Sequence, residues 1–136
     1  MASLSVMQAV RARLDAEWSR CPVIHPNTDA QPPGGTDPWL VVQYPMAREA
    51  QASIGSPGSN IFREEGAIRL VLMVPAGSGA EEWTGWLDEL RALFRAKRFD
   101  GVRTYAPSPA VFDDRNRDGG WCALSTAIPY DADIRA

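Results

Sequence analysis

The chain is poor in the side chains that most often carry chemistry. Its 136 residues hold two cysteines and one histidine, and of fourteen basic side chains only Lys97 is a lysine. Cys21 and Cys122 are too few and too far apart for a disulfide framework. Cys122 falls on a predicted strand beside Leu124, which suits a buried apolar thiol. His25 with Cys21 and Cys122 would make three zinc ligands at most, one short of a structural site. No nucleophile or orienting acid stands at a recognisable spacing from His25. Apolar runs stop at four or five residues, Trp39–Val42 and Leu70–Val74, far short of a membrane span. A charged segment followed by a hydrophobic run is missing from the start, so no signal peptide is expected and synthesis in the cytoplasm is. The net charge of −3 argues against chain-wide affinity for nucleic acid or membranes.

What is present is architecture. In Gly66–Lys97, alternate residues Ile68, Leu70, Leu72 and Val74 predict a half-buried strand, and Pro75 with Gly77-Ser78-Gly79 predicts a turn. Trp83, Trp86, Leu87, Leu90, Leu93 and Phe94 then recur at helical spacing. Glu81 and Glu82 sit in the first turn and Arg95, Lys97 and Arg98 near the end, as the helix dipole favours. A first helix is predicted over Ser5–Trp18, with Ser5 and Gln8 as a capping box and Met7, Val10, Leu14 and Trp18 as its apolar seam.

Further strands are predicted at Trp39–Tyr44, closed by Pro45, at Gly101–Tyr105, and at Trp121–Ile128 after a polar turn over Asp113–Gly120. The segment 47–65, with Gly55, Ser56, Pro57, Gly58 and Ser59, is longer than a hairpin needs. It is expected to be a long mobile loop, the alternative being a hairpin tip with extra strand residues at its base. The chain is long enough for one domain only. The order helix, strand, long loop, strand, helix, strand, strand gives an α+β fold, a two-layer sandwich. Its mainly antiparallel four-stranded sheet would carry two amphipathic helices on one face.

The candidate chemical motifs are incomplete. The turn Pro75–Gly79 opens a helix, where backbone N–H groups can hold an anion. It lacks the glycine–lysine–serine ending of a P-loop and is followed by two glutamates. Asp114, Asn116 and Asp118 before Gly119 resemble the start of a calcium loop, but the twelfth position is Ser125 and a strand follows. No catalytic residue, metal or cofactor is assigned, and the chain is not expected to be an enzyme.

The order of turn motifs resembles the tail terminator proteins of long-tailed bacteriophages and the related gene transfer agents. The motifs are Pro22-Val-Ile-His-Pro-Asn27, Pro32-Pro33-Gly34 leading to Pro38-Trp-Leu-Val-Val42, and Ile54-Gly55. They continue with Glu65-Gly66, Val74-Pro-Ala-Gly-Ser-Gly79, Leu93-Phe94-Arg95, Asp118-Gly-Gly-Trp121 and Ile128-Pro-Tyr130. The resemblance implies a virion structural protein made in the host bacterial cytoplasm. It would form a homo-hexameric ring that caps the head-proximal end of the tail tube and ends tube polymerisation. Its implied partners are copies of itself, the major tail tube protein and a head-completion or connector protein. No membrane and no specific nucleic acid are implied, although the lumen would pass DNA. Exposure arguments select Arg48, Ile54, Ile61, Phe62 and Arg63 as assembly contacts, with Asp113, Asp114 and Arg115 as a second surface. The alternatives are another small neck or connector protein, a monomeric binding module using the long loop, and a small enzyme using the Pro75–Gly79 turn.

Overall fold

The computed structural model describes all 136 residues, except for the side chains of residues 113–118. Its elements in chain order are α1 (Leu4–Glu17), β1 (Val23–Ile24), β2 (Trp39–Gln51), β3 (Ile61–Pro75), α2 (Glu81–Phe94), β4 (Arg98–Phe99), β5 (Val102–Thr104), β6 (Val111–Asp118) and β7 (Trp121–Arg135).

The fold is α+β with two helices, but the sheet has seven strands rather than the expected four. It is mixed, because β1 runs parallel to β2, and it curls into a half-barrel. The strand order is β1-β2-β3-β7-β5-β4, with β6 also pairing β7. The additional strands had little signal to give. β1 and β4 are two residues each, too short to show a period, and β6 is mostly charged. Asp113–Gly120 is accordingly not one polar turn. β6 continues to Asp118, and the turn is Gly119-Gly120, both at positive φ (56° and 86°), as a two-residue hairpin connection requires.

The core lies on one face of the central strands. Register places Leu40, Leu72 and Leu124 in one row and Val42, Leu70 and Thr126 in the next. Ile68 lies beside Ile128, and Val74 beside Cys122. Cross-strand partners share a face, and here both helices cover it. α1 contributes Val6, Ala9, Val10 and Leu14, and α2 contributes Leu87, Leu90 and Phe94. Cys122 is buried among them. α1 begins one residue before the predicted start. Ser3, in extended conformation, takes the cap position without a side-chain cap bond, so the Ser5–Gln8 capping box does not form. The end of α2 is closed by other elements: Arg13 Nε–H donates to the Leu93 carbonyl at 2.7 Å, and the Thr104 hydroxyl donates to the Phe94 carbonyl. These are orphan acceptors of a last helical turn.

Candidate assembly surface

The segment expected to be a long loop is mostly strand. β2 continues through Gln51 and β3 begins at Ile61, which leaves 52–60 as the connection. β2 passes Pro45 by a bulge between Gln43 and Met46, where a residue without an N–H is tolerated. The far half of β7 joins them. It stays in register with β3 from Tyr130 opposite Gly66 to Arg135 opposite Ile61, and Asn60 and Ala136 exchange backbone bonds of 3.0 and 2.9 Å. The result is a three-stranded arm. Its tip is tied internally, since the Asn60 side-chain oxygen accepts from Ser56 N–H at 3.1 Å and Ser53 Oγ accepts from Ile61 N–H at 2.8 Å.

One face of the arm is a ladder of charge. Arg48 pairs with Glu65 at 3.1 Å, Arg63 holds Asp133 with two bonds of 2.7 and 3.0 Å, and Arg103 holds Asp131 with two of 3.0 and 2.8 Å. The Tyr105 hydroxyl also donates to Asp131. Burial by itself would raise the Asp131 pKa. The Arg103 and Tyr105 bonds outweigh it and leave the carboxyl below its ordinary value. Asp133 is lowered as well, first by its bond to Arg63. The Arg48–Glu65 and Arg63–Asp133 pairs are exposed and fix register more than they stabilise the fold, whereas the Asp131 carboxylate of the third pair is buried.

On the opposite face of the arm Phe62 lies between Gln51 and Ile134, and Glu64 lies between Glu49 and Ala132. Glu64 is only 6% exposed. Its Oε2 accepts from the Tyr130 hydroxyl at 2.7 Å and from the Ser3 backbone N–H, at the start of α1, at 3.2 Å.

Nearer the body, the side of the sheet away from the helices is apolar. Trp39, Met73 and Ala123 form one row, and Val41, Val71, Ser125 and Val111 the next. Trp39 meets Trp121 edge to face at 4.3 Å. Trp39 and Val71 are buried yet lie outside the main core, and Val111 and Met46 are exposed.

The residues selected from sequence therefore do not make one patch. Arg48, Ile61 and Arg63 belong to the ladder face and Phe62 to the other, because alternate strand residues point oppositely. Ile54 sits on the tip and is 87% exposed. Asp113, Asp114 and Arg115 are on β6, where their side chains lie outside the described residues; so do most of the oxygens of the calcium-like run. Sequence reasoning missed Glu64, Tyr130, Asp131 and Arg103. Their signal was weak: Glu64 sits beside the noted Glu65-Gly66 step but looks like any surface glutamate.

The other candidates occupy structural positions. In the Pro75–Gly79 turn the Ser78 hydroxyl donates to the Pro75 carbonyl at 2.6 Å and accepts from the Trp83 indole at 2.9 Å. Ala80 takes the cap position of α2. His25 follows β1, where burial lowers its pKa, with Arg11 adding to the effect. Among the described residues no three or more His, Cys, Asp or Glu side chains gather into a metal-sized group. No helix among the described residues is long and apolar enough to cross a membrane.

With this geometry in place, residues 5–130 match a family model described as phage tail terminator protein. No curated protein matches the sequence. A solved structure 21% identical in sequence superposes with a TM-score of 0.62, covering 97% of this chain and 96% of that one, a likeness of fold.

Proposed function

The chain belongs to the phage tail terminator family and so is a structural component of a phage tail, and on that premise we propose that it closes the head-proximal end of the tail tube as a homo-hexameric ring. In this reading the ring ends tube polymerisation and then receives a head-completion or connector protein. The protein performs no catalysis and needs no cofactor, and DNA passes through the lumen without a specific contact. The family match carries the proposal, because it takes in the body and most of the arm and not one motif.

The shape of the sheet agrees with a head-to-tail subunit contact. Its two edges are unlike. On one side β1 covers only Leu40 and Val41, so the outer edge of β2 has no strand beside it from Val42 to Gln51. On the other side lie the short β4–β5 hairpin and β6. An open edge invites pairing. Contacts between two unlike surfaces close into a ring when the rotation permits, and add subunits without limit when it does not.

The test is tail assembly without the protein. Particles lacking it are expected to carry tubes of irregular, excess length, and adding the purified protein to growing tubes is expected to arrest them. Light scattering and electron microscopy with and without tubes would report the ring. Tubes of regular length in its absence would overturn the reading and favour another neck protein of the same fold.

A further inference from the structure

The arm leaves the helix-covered body at the row Ala47–Gly66–Tyr130, and beyond it the backbone ladder is the main support the sheet has. That ladder is interrupted on one side by the bulge between Gln43 and Met46. Three features meet at this row. First, Gly66 has no room for a side chain, since a Cβ there would lie 2.4 Å from the Met46 carbonyl and 2.9 Å from the Tyr130 hydroxyl. Its lack of one lets the bulged strand close in and the Tyr130 ring lie across the sheet. Second, Tyr130 is itself buried and spends its hydroxyl on Glu64. Burial, with Glu64 beside it, raises its pKa far above neutrality, so it remains a donor. Third, Glu64 brings its carboxylate to the start of α1, where the helix dipole favours negative charge. A buried carboxylate without partners would be costly, and Glu49 lies directly opposite Glu64 in the sheet, a position where like charges are unfavourable. Glu64 therefore stays inside because Tyr130 and Ser3 hold it there.

We propose that Glu64, Tyr130 and Gly66 form a buried latch that pins the arm to the start of α1, so that the arm is presented already rigid to its partner. The role in assembly rests on the reading of the arm as a contact surface; the latch itself does not.

Hydrogen exchange on the full chain tests the latch, using Tyr130→Phe, which removes one hydroxyl, and Glu64→Met, which removes the acceptor oxygen at nearly the same length. In both variants the amides of Ala47–Gln51 and Ile61–Gly66 are expected to exchange at least tenfold faster, while Leu70–Val74 keep their protection. Unchanged arm amides in Tyr130→Phe would overturn the latch. So would an equal rise across all of β3, which would mean a general loss of stability. Tube capping is then measured on the same variants. A loosened arm with impaired capping supports both ideas. A loosened arm with normal capping keeps the latch and removes the arm from the contact.

Discussion

A single glycine can be indispensable or wasteful, and this chain has both kinds. Gly66 is hemmed in by the Met46 carbonyl and Tyr130, whereas Gly85 lies in the exposed middle of α2 with nothing within 4 Å of a built Cβ. The same substitution should therefore act with opposite sign. Gly66→Ala is expected to destabilise by about 2 kcal/mol or more, because the first obstacle is backbone and cannot rotate away. Gly85→Ala is expected to stabilise by about 0.8–1 kcal/mol, the helix-propensity difference. Urea denaturation of the two variants against the parent decides it. At this scale the sequence is least legible, since both positions are glycines next to a helical or strand pattern. What separates them is contact with Tyr130, sixty-four residues away along the chain from Gly66.

Among the elements, those with one buried face could be read from periodicity and the others could not. α2 and the inner half of β3 announce themselves because Leu87, Leu90 and Phe94 recur at helical spacing and Ile68 to Val74 alternate. The arm is different. Met46–Gln51 carries alanine, arginine, glutamate and glutamine with no alternation to detect, because both of its faces are largely exposed. Its strand character comes from pairing with β3, and β3 in turn pairs β7, contacts far apart in sequence. The charge ladder across the arm has a consequence that pH can expose. Asp131 has a depressed pKa, so its contribution is fully present above the ordinary carboxylate value of 3.8 and is lost as pH falls through the lower folded value. Stability should therefore drop as pH falls below about 4. Asp131→Asn should cost about 1–2 kcal/mol at neutral pH and flatten that acid limb. Thermal melts at a series of pH values check both; a parent and variant with parallel pH profiles would show that Arg103 and Asp131 are not coupled.

As a whole the molecule separates the surfaces that fold it from those left over for assembly. The core row from Leu40 to Leu124 and the inner faces of both helices are enclosed, while Ile54 at 87% exposure and Met46 at 62% protrude at the tip and base of the arm. Replacing either with aspartate should leave folding nearly unchanged, within about 0.5 kcal/mol, because neither side chain contributes to the core. Assembly should respond quite differently. A leucine-sized side chain buried in an interface stabilises it by about 1.5–3 kcal/mol, and each 1.4 kcal/mol is about tenfold in affinity. In a ring the loss recurs at every subunit, so even one weakened contact per copy compounds around the circle. Ile54→Asp and Met46→Asp are thus expected to melt like the parent yet leave tails of uneven length, counted in electron micrographs of particles complemented with each variant. Regular tails from both variants would move the contact off the arm and onto the apolar sheet face around Trp39 and Trp121. There, Val111→Asp, at an exposed position of that face, in place of the arm substitutions would be expected to disrupt capping.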